Sequence, residues 1–140
     1  MLRSHVVLIG GLAAASFVLA AVNATAENPG GNADARKIKN PVAANAASIK
    51  AGEAVYKKYC AFCHNADATG DGPLAPKDSH PPSLADDKWE HGSSDGEVFA
   101  TIQNGAGSTS VMKGFKGKMP DQDMWNVVNY LRSLGPKKNS

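Results

Sequence analysis

Cys60-Ala61-Phe62-Cys63-His64 contains both cysteines of this 140-residue chain, with a histidine directly after the second. C-x-x-C-H is the pattern of covalent c-type haem attachment. On a helical turn Cys60 and Cys63 stand at i and i+3, so both thiols face one side. They can form thioethers to the two vinyl groups of one porphyrin. His64, at i+4 from Cys60, shares that face and can bind the iron as proximal ligand. What such a site does depends mostly on the group at the other axial position.

Rival readings of the five residues have their own requirements. A zinc site needs about four ligands, usually with a second Cys or His pair; His80 and His91 are isolated. A thioredoxin-type C-x-x-C expects a βαβ context, whereas the flanks here read as helical. A plain disulfide is the third possibility. An exported, helical context favours haem.

That context begins at the N-terminus. Met1-Leu2-Arg3 is a short basic region, Val6 to Val22 is apolar, and Ala24-Thr25-Ala26 is an A-x-A cleavage site. Residues 1–26 are expected to be a secretory signal cleaved after Ala26. The alternative is an uncleaved anchor, since the apolar run approaches the lower limit of a span, about 17 residues; its Ala and Gly content makes it only weakly hydrophobic. In a bacterium, export leads to the periplasm, an oxidising compartment where c-type haem is attached. The chain from Glu27 onward is expected to be one soluble domain and a monomer.

Fifteen Lys and Arg face 13 Asp and Glu, and Arg3 leaves with the signal. This near-neutral balance excludes the strong basic bias of a nucleic-acid binder. Lys113, Lys116 and Lys118 form a local basic cluster, either a solvated loop or a docking patch for an acidic redox partner.

Residues 27–47, with Asn28-Pro29-Gly30-Gly31-Asn32 and many alanines, read as a flexible or partly ordered N-terminal linker. The domain is expected over 48–135, with a solvated tail at 136–140. Helicity is expected from Ser48 as N-cap, with Ile49, Val55, Tyr56 and Tyr59 as its apolar positions. Gly52 costs a helix interior about 1 kcal/mol against Ala, which suggests close approach by another helix. Residues 65–82 read as loop, marked by Gly70-Asp71-Gly72-Pro73 and His80-Pro81-Pro82. Ser94-Asp95-Gly96-Glu97 matches a capping box and starts a helix bearing Val98, Phe99 and Ile102, which Asn104-Gly105 ends. A terminal helix opens at Pro120-Asp121 and closes at Gly135-Pro136, with Met124, Val127, Val128, Leu131 and Leu134 at helical spacing. No strand pattern is evident. The expected fold is all-α: three or four helices whose small apolar inventory is completed by a haem.

These residues resemble class I c-type cytochromes over roughly Ser48 to Leu134. Gly52-x-x-x-Tyr56-x-x-x-Cys60 looks like the first helix of that fold, and Val127-x-x-Tyr130-Leu131 like its last. The Gly70-Asp71-Gly72-Pro73 stretch resembles a bacterial subgroup with an extended loop after the haem motif. Asn65 departs from the glycine often found after C-x-x-C-H. The family often has Met-Pro at the distal ligand, which here points to Met119; Met112 is followed by lysine. Met119, however, abuts the terminal helix and suits a hydrophobic staple. The offset from Met112 to Tyr130, and Phe115 after it, resemble the family, so Met112 is the expected ligand. His80, His91 and an open site are the other candidates. The resemblance implies a proline carbonyl as acceptor for the proximal histidine: Pro82, in Pro82-Ser83-Leu84, with Pro73 as competitor. Trp89 is a candidate for a haem-propionate hydrogen bond or for core packing.

The resemblance thus implies one haem c, held by Cys60 and Cys63, ligated by His64 and Met112, in a periplasmic single-electron carrier without bond-making catalysis. Its partners would be redox donor and acceptor proteins. An open distal site would make it a haem enzyme or gas sensor, and a third possibility is a subunit of a larger oxidoreductase.

Overall fold

The structure, a computed structural model, describes residues 31–78, 80–106 and 111–135. The expected signal, the tail and the start of the expected linker lie outside these residues. The framework is a pair of crossing helices, α1 (Ala46–Tyr59) and α4 (Asp121–Leu134). They meet at Gly52, where a Cβ would stand 1.9 Å from the carbonyl oxygen of Asn126. Only a residue without a side chain permits that approach. Tyr56, fully buried, packs its ring 5.2 Å from that of Tyr130 at the same crossing.

The cap of α1 differs from the expectation. Asn45 is the N-cap: its side chain accepts from the Ser48 N–H at 3.0 Å, and Ser48 Oγ accepts from the Asn45 N–H at 3.1 Å. Ser48 is therefore the reciprocal half of a capping box, with serine where Glu or Gln is the usual signature.

Between these helices lie α2 (Ala61–His64) and α3 (Asp95–Asn104). The α3 capping box forms as read, with Ser94 Oγ accepting from the Glu97 N–H and Glu97 Oε2 from the Ser94 N–H. Gly105 ends α3 at φ +91°, a backbone region favouring glycine. Phe99 of α3 stacks on Trp125 of α4, centroids 3.9 Å apart and planes 9° off parallel. Val98 and Ile102 join Met124, Val127, Val128 and Leu131 in one core cluster.

One feature departs from the sequence reading. A two-residue ladder pairs β1 (Gly105–Ala106) with β2 (Met112–Lys113), antiparallel, Ala106 opposite Met112. Two residues are too few to show alternation. Residues 31–45, of the two readings of the linker, follow the ordered one and pack on the helices. They include a 3-10 turn at Ala35–Lys37, and Asn40 donates to Asn129 Oδ1 at 2.8 Å.

Candidate haem site

The turn that carries the motif is built by backbone bonds. Cys63 N–H and His64 N–H both donate to the Cys60 carbonyl, at 3.1 and 2.9 Å. Asn65 then takes φ +65°, a value that explains why glycine suits that position. The following loop folds back on the motif. Gly72 N–H donates to the Cys63 carbonyl at 3.0 Å and Leu74 N–H to that of Phe62 at 2.7 Å. A Cβ at Gly72 would lie 2.5 Å from the Phe62 oxygen. The Gly70-Asp71-Gly72-Pro73 stretch is thus a brace around the cysteines.

Cys60 and Cys63 are both free and half-buried, so the disulfide reading does not describe them. Burial, and to a lesser degree Cys63, pushes the Cys60 thiol up to about 12. Among the described residues no group of three or more His, Cys, Asp or Glu is placed to hold a metal ion.

His64 is 8% exposed. Burial lowers its pKa, with the Pro82 carbonyl pulling toward the protonated form. Nδ1 nevertheless has no hydrogen-bond partner. Burial therefore favours the neutral imidazole, the form that ligates iron.

His64, Pro82 and Met112 line one pocket. The space between these residues is about 470 Å³, part of it open to solvent. Leu84, Val98, Ile102 and Leu131 supply apolar walls, and Trp89, His91 and Gly92 form a further side. Met119 is 7% exposed within the core cluster and does not line the pocket. It occupies N′ of α4, with Met124 at N4 in the same cluster, as a staple requires. His80 is exposed and away from the pocket, as is Pro73. Residues 88–92 were not legible as a pocket wall, beyond Trp89 and His91 as isolated candidates, because they carry no periodic pattern.

These residues fit a haem. A buried, unpartnered imidazole, two free thiols one turn away, an apolar pocket and a thioether side chain at its lining form a matching donor set. A model of the family described as cytochrome c oxidase, cbb3-type, subunit III matches residues 47–131.

The chain belongs to the c-type cytochromes.

Its cytochrome c domain is 34% identical over 92 residues to cytochrome c6 of Synechocystis sp., covering 66% of this chain and 70% of that one. It is 36% identical over 86 residues to the cytochrome c subunit of the quinone alcohol dehydrogenase of Gluconobacter oxydans, covering 59% of this chain and 18% of that one. Among solved structures, cytochrome cL of Methylophaga aminisulfidivorans is similar at TM-score 0.54 and 27% identity, over 65% of this chain and 55% of that one. Membership of the family brings covalent haem c, and Cys60 and Cys63 stand at the spacing that attachment requires. The domain has the all-α class I cytochrome c fold and an electron-transfer role. Among the described residues no helix is long and apolar enough to cross a membrane.

Proposed function

We propose that this cytochrome c domain is a periplasmic single-electron carrier, exported by cleavage after Ala26, with His64 and Met112 as axial ligands and one haem held by Cys60 and Cys63. Haem supplies the redox chemistry, one electron taken up and released at the iron between Fe(III) and Fe(II). The observation that carries the reading is that Met112 lines the same pocket as His64 while Met119 is packed in the core.

His64 and Met112 would keep both axial positions filled in either oxidation state. That limits reorganisation and leaves no position for a substrate. The thioether of Met112 would also raise the potential relative to a second histidine. Pro82, which lines the pocket with His64, is the acceptor that would orient the imidazole. The apolar walls exclude water and shield the cofactor.

Lys113, Lys116 and Lys118 are exposed, and Phe115 between them contacts Tyr59 edge-on, centroids 6.0 Å apart. Lys58 Nζ lies 4.8 Å from the Tyr59 ring centroid. This basic, aromatic surface suits an acidic redox partner, whose association rate would fall with ionic strength.

Carbon monoxide tests the closed distal site. The reduced protein is expected to resist it. Rapid, stoichiometric binding would instead favour a haem enzyme or gas sensor.

A further inference from the structure

The family match begins at residue 47, so residues 31–45 lie outside it and the haem reading makes no use of them. They form a strap across α3 and α4. At one end, Ala35 is buried against α3, where a Cβ at Gly96 would stand 2.0 Å from the Ala35 carbonyl oxygen. At the other, Asn40 donates to the Trp125 carbonyl at 3.3 Å and to Asn129 Oδ1 at 2.8 Å. Asn129, 4% exposed, donates back to the Val42 carbonyl at 3.1 Å.

Between these anchors, Arg36 Nε donates to Glu97 Oε1 at 3.2 Å. Glu97 is buried, and its other oxygen accepts from the Ser94 N–H at 3.0 Å. The same carboxylate lies against the Gly92 backbone: a Cβ there would stand 2.4 Å from Glu97 Cδ. Gly92, with Trp89 and His91, lines the haem pocket. The strap therefore reaches the pocket wall through two contacts, the Arg36–Glu97 hydrogen bond and the packing of the Glu97 carboxylate against Gly92. On the far side of the wall, Arg132 lies over the Trp89 ring, 5.2 Å from its centroid, and bonds Asp95.

We propose that the strap of residues 31–45 is a positioning element for the haem pocket: through Arg36 and Glu97 it holds the wall at 88–92 in place, limits water access and so sets the reduction potential. The inference rests on haem occupying this pocket. Water reaching the iron stabilises the extra positive charge of the oxidised state, because a higher local dielectric lowers the cost of that charge. A loosened wall therefore lowers the potential.

Gly96→Ala and Asn40→Ala test this in the holoprotein, since each releases one end of the strap without changing charge. Amide hydrogen exchange, resolved by segment, and the reduction potential are measured where both variants retain native circular dichroism. The expected result is faster exchange in residues 32–40 and also in 88–94, by on the order of tenfold, with a lowered potential. Faster exchange confined to 32–40, with the potential unchanged, would overturn the proposal and leave the strap a purely structural element. If Gly96→Ala does not fold, Asn40→Ala decides by the same two readouts. A wild type without a methionine–iron band would instead count against Met112 as ligand, and exchange and potential would still decide the role of the strap.

Discussion

The Tyr56 hydroxyl donates to the carbonyl of Asn65 across 2.8 Å. This bond ties the buried end of the α1–α4 crossing to the residue directly after His64. Tyr56→Phe keeps the ring packing and removes the bond, leaving the Asn65 carbonyl without that partner. The expected loss is about 1–2 kcal/mol, read by denaturant unfolding of the holoprotein. Burial, then the nearby Cys60, Tyr130 and Asp67, pushes the Tyr56 phenol well above its ordinary value of 10.0. The raised value means that the unfolded chain loses this proton first. The stability it contributes is complete below pH ~10 and is lost progressively as pH rises above it. Stability of the wild type should therefore fall more steeply than that of Tyr56→Phe in this alkaline range; parallel curves would refute the assignment.

Gly52→Ala should be among the most damaging single-methyl changes in the chain. The new Cβ meets the Asn126 carbonyl at 1.9 Å, with its carbon at 2.5 Å, and this backbone lies inside a helix. The gain in helix propensity is about 1 kcal/mol, while overpacking of this kind costs about 3 kcal/mol or more. Thermal unfolding should show a net loss of at least ~2 kcal/mol. A neutral or stabilised variant would mean that the helices do not cross as closely as described.

Glu97 gives an acid-side prediction. Burial pushes its carboxyl up, but hydrogen bonds from Ser94 and Arg36, and the charge of Arg36, outweigh it and hold the group below its ordinary 4.5. A carboxyl depressed in the folded state stabilises the fold above the unfolded value. That contribution is lost as pH falls through ~4.5 and below. Glu97→Ala should cost about 1–2 kcal/mol at neutral pH, through the lost reciprocal half of the capping box and the lost bond from Arg36. The difference from wild type should shrink in acid, and a difference independent of pH would contradict the ionised reading.

Much of this architecture was legible in the sequence. The Ser94–Glu97 box, the Gly105 stop and the limits of α4 carry their own chemistry, and Gly52 announced the crossing by its cost in a helix. The Asn45 cap was hidden because its reciprocal partner is a serine. The strap was hidden for a different reason. It is held by Asn40, Asn129 and the small contact of Ala35 on Gly96, and none of these leaves a hydrophobic period. At the site, the histidine and cysteines follow from one motif, whereas the wall at 88–92 comes from an irregular loop positioned by Glu97 and Arg132. The choice between Met112 and Met119 is not legible from the motif, since the Met-Pro dipeptide and the spacing point to different residues.

That choice supplies the most direct test of the account, because the axial ligand separates an electron carrier from an enzyme or sensor. The methionine–Fe(III) charge-transfer band of the oxidised holoprotein is measured for wild type, Met112→Ala and Met119→Ala. The account predicts that the band is present in wild type, absent in Met112→Ala with a lower potential and an iron open to carbon monoxide, and retained in Met119→Ala. Met119→Ala should show only a packing loss of about 2–5 kcal/mol. Loss of the band in Met119→Ala with retention in Met112→Ala would contradict the assignment, and a wild type that lacks the band and binds carbon monoxide readily would contradict the carrier itself.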